Sequence, residues 1–88
     1  MTLSEENYLK TIFHLYDESK TEVSTNAIAE AMCTKASSVT DMLKKLADKH
    51  LINYKKYQGV TLTQNGTKKA IAIIRKHRLW EVFLVEKL

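Results

Sequence analysis

The chain has 88 residues, of which 44% are hydrophobic and 27% charged, with a net charge of +4 and a pI near 9.2. This length predicts one small domain with little room for a deep catalytic cleft, and the composition is not that of a disordered tail. No run reaches the roughly 18 apolar residues of a membrane span. The opening MTLSEENYLK lacks the order of a secretory signal, and Cys33, the single cysteine, has no disulfide partner and fits no zinc spacing, so a reduced, cytoplasmic setting is expected.

Proline is absent, and Gly59 and Gly66 fall in one region, which predicts a mostly helical chain with one non-helical stretch. Residues 4–19 read as the first helix, with Ser4 as N-cap. Glu5 and Glu6 lie in its first turn, where the helix dipole favours acids, and Leu9, Ile12, Phe13 and Tyr16 make a buried stripe. Asp17 to Glu22 is a polar connection. A short second helix follows Ser24, again an N-cap, with Val23 and Ile28 at the two positions of a hydrophobic staple. Ile28, Ala29 and Met32 face inward, and Ala27, Ala29 and Ala31 let another helix approach closely.

Cys33-Thr34 makes a tight connection, with Cys33 expected as a small buried residue and Thr34 as the cap of a third helix running to about Lys49. Val39, Met42, Leu43 and Leu46 form the buried stripe of that helix. Lys35, Ser37, Ser38, Thr40, Asp41, Lys44 and Lys45 occupy its opposite face. The period then changes. Residues 51–56 and 60–63 are β-rich, and Tyr57-Gln58-Gly59 between them reads as a hairpin turn, with Gly59 able to take a positive φ. Thr63 can cap a fourth helix that continues to the last residue. Its inward face includes Ala70, Ile73, Ile74, His77, Trp80, Glu81, Leu84 and Leu88. Either the chain is a piece of a longer one, or this apolar helix packs on a partner subunit.

Helix, short helix, tight turn, helix and β-hairpin is the order of a winged helix-turn-helix. The fold class expected is therefore mainly α with a small β-hairpin, followed by a long C-terminal helix for dimerisation. The pattern assigns the N-terminal half of the third helix to the major groove of double-stranded DNA and makes the hairpin a wing. Lys55, Lys56 and Gln58 of the wing can hold backbone phosphate, and Tyr54 and Tyr57 either pack the wing or donate a hydroxyl to phosphate.

Ser37, Ser38 and Thr40 are either contacts or the polar face of an ordinary amphipathic helix, and the order of elements favours contacts. Asp41 accepts from a cytosine amine, repels phosphate at wrong sites, or is a first-turn acid without a DNA role. Lys44 and Lys45 supply general electrostatics. Residues 1–30 carry two bases against six acids, a net of −4, whereas residues 31–88 carry +8. This is either a polyanion-binding segment or a solvated lysine-rich face. His14 lies on the first helix, and the dipole at the end of the third explains His50. No nucleophile–base pair, phosphate loop or paired-carboxylate motif points to an enzyme or to a small organic substrate. A winged helix also serves as a protein-docking module, which is the alternative from another class.

The segments AIAEAMCTKASSVTDMLKKLADKHLI, YKKYQGVTLTQNG and IIRKHRLWEVFL resemble, in order and spacing, the metal-dependent repressors of the diphtheria toxin repressor and manganese transport regulator family. The resemblance spans essentially the whole chain. It implies a winged-helix DNA-binding domain over residues 1–63, with residues 64–88 as a linking helix and the start of a dimerisation and metal-binding region. It also implies a cytoplasmic homodimer that takes Fe(II) or Mn(II) as corepressor and binds palindromic operators of metal-uptake genes. Lys35, Ser37, Ser38, Thr40 and Asp41 then lie on the recognition helix, and Lys56, Tyr57 and Gln58 on the wing. Asp41 stands where a neutral or basic residue is expected.

The metal-binding pattern carries over unevenly. His77 matches a metal-ligating histidine, and Glu81, four residues on, shares its helix face and is a ligand position in some members. Asn7 stands where the family places a ligand, commonly Met or Asp, and offers only a weak carbonyl donor. A further carboxylate position of manganese-type members matches Lys10, which cannot serve. The site expected in this chain is therefore partial, and a metal-independent regulator of the same fold is the runner-up.

Overall fold

The computed structural model describes residues 2–19, 21–55 and 59–87, with side chains at 2–18, 21–55 and 59–78. The elements are α1 (Leu3–Ser19), α2 (Thr25–Met32), α3 (Ala36–Asp48), β1 (Ile52–Lys55), β2 (Gly59–Leu62) and α4 (Gln64–Lys87). α1 begins one residue earlier than the sequence predicts, because Thr2 rather than Ser4 caps it. The Glu5 N–H donates to Thr2 Oγ1 at 3.2 Å and the Glu6 N–H to Thr2 O at 3.0 Å. Thr2 and Glu5 have the spacing of a capping box, which leaves Ser4 inside the first turn.

α2 starts as expected. Ser24 Oγ accepts from the Ala27 N–H at 3.0 Å, and the staple residues Val23 and Ile28 are both buried. Its end departs from expectation. Cys33 is exposed and left-handed, with φ 54°. Its N–H donates to Glu30 O, and the Thr34 N–H donates to Ala29 O at 3.0 Å, a Schellman closure. Thr34 is thus committed to closing α2, and the N-cap of α3 is Lys35, which makes no side-chain cap bond.

The hairpin pairs Ile52 with Leu62 and Lys55 with Gly59. A bridge that sequence reasoning did not anticipate fastens it to the segment before α2: the Val23 N–H donates to Val60 O at 2.9 Å, and the Val60 N–H to Val23 O at 2.8 Å. Gly59 has φ +103°, and a Cβ there would lie 3.1 Å from Glu22 Cβ and 3.2 Å from Val23 O. Only glycine meets both demands. At the base of the hairpin, Thr63 Oγ1 accepts from the Gly66 N–H at 2.9 Å and so caps α4, while its own hydroxyl reaches His50 O and Leu51 O. Gly66 is packed so tightly that a Cβ would fall 1.7 Å from Leu51 O.

The core lies between α1, α2, α3 and the hairpin. Leu9, Ile12, Ile28, Val39, Leu43, Leu46 and Val60 are fully enclosed, with Tyr8, Ile52, Ala70 and Ile73 around them. Each large apolar side chain buried this way contributes roughly 1.5–3 kcal/mol. Phe13, Tyr16 and Met42, expected in the stripes, are only half-buried at the rim. Trp80, Leu84 and Leu88, expected on the inward face of α4, lie outside the residues whose side chains are described.

Candidate nucleic-acid interface and metal site

α3 is divided lengthwise. Val39, Leu43 and Leu46 are at 0% exposure and anchor it to α1 and α2, whereas Lys35, Ser37, Ser38, Asp41, Lys44 and Lys45 are exposed on the other side. Thr40 is half-buried, and its hydroxyl donates to Ala36 O at 3.0 Å, so only its acceptor lone pairs remain for a partner. The α2–α3 turn therefore presents a row of short hydroxyls flanked by lysines on a helix whose other side cannot move without opening the core. A helix of this kind fits the width of the DNA major groove. Of the wing positions, Lys55 and Asn53 are exposed on β1. Lys56, Tyr57 and Gln58 lie outside the described residues.

The second cluster ties α1 to its neighbours by charge. Glu5, 8% exposed, pairs with Lys49 just past the end of α3. Its carboxyl is held below the usual carboxylate range by the Lys49 hydrogen bond, against an opposing push from burial. Glu6, on the next residue, turns to α4. Lys76 Nζ donates to both its oxygens, at 2.9 and 2.8 Å, and this likewise lowers the Glu6 carboxyl. His77 Nε2 lies 3.6 Å from Glu6 Oε1, and His77 Nδ1 lies 3.4 Å from Lys10 Nζ. Sequence reasoning took Glu6 only as a first-turn acid and did not single out Lys76. The signal available was the Glu6/Lys10 spacing of four residues on one helix face and the lysine next to His77.

This geometry bears on the expected metal donors. An ammonium group can only donate, so Nδ1 of His77 accepts from Lys10 and the ring proton sits on Nε2, facing Glu6. Both ring nitrogens are thus engaged by α1. The described residues include no group of three or more His, Cys, Asp or Glu side chains able to hold a metal ion. As the described side chains build it, the corner does not fit a transition-metal ion: Lys10 lies on the imidazole and Lys76 on the Glu6 carboxylate. Asn7 is half-buried on α1, and the side chain of Glu81 lies outside those described.

A buried-stripe recognition helix set behind a short helix, and followed by a hairpin pinned to the same core, defines a winged-helix regulator. Residues 1–60 match the family described as iron dependent repressor, N-terminal DNA binding domain, and residues 63–88 match the metal binding and dimerisation domain of the same family. The chain is 39% identical over 86 residues to the HTH-type transcriptional regulator MJ0568 of Methanocaldococcus jannaschii, covering 98% of this chain and 69% of that protein. It is 41% identical over 83 residues to the HTH-type transcriptional regulator MntR of Oceanobacillus iheyensis, covering 94% of this chain and 56% of that protein. The solved structure of the manganese regulator SloR superposes with a TM-score of 0.78 at 41% identity, over 98% of this chain and 40% of that one. The chain belongs to the iron-dependent repressor family of DNA-binding, metal-dependent transcriptional regulators, which are not enzymes. It spans little more than half the length of MntR and about two thirds of MJ0568. Among the described residues no helix is long and apolar enough to cross a membrane.

Proposed function

We propose that this chain is the DNA-reading part of a repressor that binds a palindromic operator of metal-uptake genes as a homodimer in the cytoplasm, with Fe(II) or Mn(II) as effector. The division of α3 carries the DNA-reading part: an enclosed apolar side fixes the helix, and the opposite side exposes Lys35, Ser37, Ser38, Asp41 and Lys44. In this reading the first turns of α3 enter the major groove. Ser37 and Ser38 bond base edges, Thr40 offers its acceptor lone pairs, and Asp41 accepts from a cytosine amine or rejects sites that bring phosphate to it. Lys35 and Lys44 hold phosphate, as do Lys56, Tyr57 and Gln58 of the wing.

Residues 1–63 serve as the reading unit, and residues 64–88 lead into the region that pairs two copies. A dimer sets two recognition helices on half-sites about 34 Å apart. The dimerisation and metal-binding domain matched by residues 63–88 supports both the homodimer and the effector class. The family's ligand pattern assigns His77, Glu81 and Asn7 to the effector. Because Lys10 and Glu6 of α1 already meet the His77 ring, this chain offers at most part of that pattern.

Selection of bound duplexes from a random pool, run with Mn(II), with Fe(II) and with chelator, tests this directly. The expected result is enrichment of a two-fold-symmetric sequence, with affinity falling linearly in log–log form as salt rises. Absence of enrichment in every condition, with weak and salt-insensitive association, would overturn the DNA-reading assignment and favour a docking module.

A further inference from the structure

We propose that the cation at the α1–α4 corner is supplied by the chain itself: Lys10, with Lys76 beside it, occupies the place at His77 that a divalent ion would need, so α1 and α4 are joined without one. Three observations carry this. Lys10 Nζ approaches Nδ1 at 3.4 Å and takes up the only lone pair the ring has to offer, since the proton on Nε2 faces Glu6 at 3.6 Å. The Glu6 carboxylate, the one acid that the described side chains bring to His77, receives Lys76 on both oxygens. The side chains of His77 and Glu6 are sheltered, at 17% and 13% exposure, whereas Lys76 reaches in from solvent at 53%.

Among the described side chains, two ammonium groups stand against one carboxylate, so an incoming divalent ion meets repulsion as well as a blocked ring. The same contacts run from α1 to α4 and so perform the joining that a metal bound between these helices would perform. Glu5 adds the third connection, from α1 to the end of α3 through Lys49. α1 thereby couples the recognition helix to α4 through carboxylates on adjacent residues. This inference deepens the regulatory side of the function proposed above and uses its DNA-reading side in no step. Failure to select any duplex would leave the measurements below unchanged.

The test is Mn(II) titration of the ¹⁵N-labelled chain, read on the histidine ring signals, with the exposed His14 as internal reference. In the wild type, His77 shows the Nε2–H form and broadens no more than His14. In Lys10→Glu the ring is released, and two carboxylates four residues apart stand beside it. Affinity for Mn(II) rises roughly tenfold or more, and His77 broadens selectively. Lys10→Gln, which removes the charge and adds only a weak carbonyl donor, gives a smaller gain in the same direction and serves alone if Lys10→Glu does not fold. Selective broadening of His77 by Mn(II) in the wild type would overturn the inference. So would the absence of any gain in Mn(II) affinity in both variants.

Discussion

The α2–α3 unit and the α1–α4 corner use polar residues in opposite ways. In the first, apolar packing and helix-end closures do most of the holding. Ile28, Val39, Leu43 and Leu46 are enclosed, Ser24 and the Schellman turn close the ends of α2, and the polar residues of α3 face outward. In the second, the polar residues are the joint: Glu6 meets Lys76 and His77, His77 meets Lys10, and Glu5 meets Lys49. A surface whose polar groups point outward from a rigid support is ready for an external partner, whereas a cluster whose polar groups satisfy one another is not. The comparison therefore separates an outward-facing polar surface, which the proposed function uses for DNA, from a structural joint, although both are rich in residue types that bind ligands elsewhere.

The largest expected effect comes from breaking the apolar side. Leu43→Ala removes a fully enclosed side chain of α3 and is expected to cost about 3 kcal/mol, read as a large fall in melting temperature. Gly66→Ala is expected to cost about 2 kcal/mol or more, because the added methyl meets the Leu51 carbonyl, which is main chain and cannot swing away. The outward side should respond in the reverse manner. Lys44→Ala is expected to leave the melting temperature nearly unchanged, within about 0.5 kcal/mol of stability. It should also weaken duplex binding across all sequences and lower the salt slope by about one. The smallest effect sharpens the description of the joint. Glu5 is held below its unfolded value by Lys49, so its contribution is fully present above roughly pH 4.3 and is lost as pH falls through the lowered folded value. An acid titration of stability should show a smaller loss in Glu5→Gln than in the wild type, the remainder coming from Glu6, which Lys76 lowers likewise.

Much of this was legible in the sequence because it rests on periodicity and local chemistry. The stripe of α3, the Ser24 cap, the Val23–Ile28 staple, the Thr63 cap and the positive φ of Gly59 all follow from residue type at fixed spacing. Two local competitions went the other way. Thr2 outbid Ser4 because its spacing to Glu5 makes a capping box, and Thr34 closed α2 instead of opening α3, which left Cys33 exposed in a left-handed turn. The long-range contacts were less legible. The resemblance put Lys10 and His77 at positions of one metal pattern, but nothing in the one-dimensional pattern gave their direct contact across 67 residues, or that of Val23 with Val60. The spacing of His77 and Glu81 was visible, but the side chains that meet His77 come from another helix.

The central claim is that the exposed side of α3 reads base sequence. It is tested most directly by measuring the affinity of the wild type and of Ser38→Ala for a selected duplex in which each base pair is substituted in turn. The account predicts that Ser38→Ala loses discrimination at one position in each half-site, by about 1 kcal/mol or more, while the preferences elsewhere and the melting temperature stay as they were. A variant that keeps every base preference of the wild type, or that weakens all duplexes equally, would contradict it.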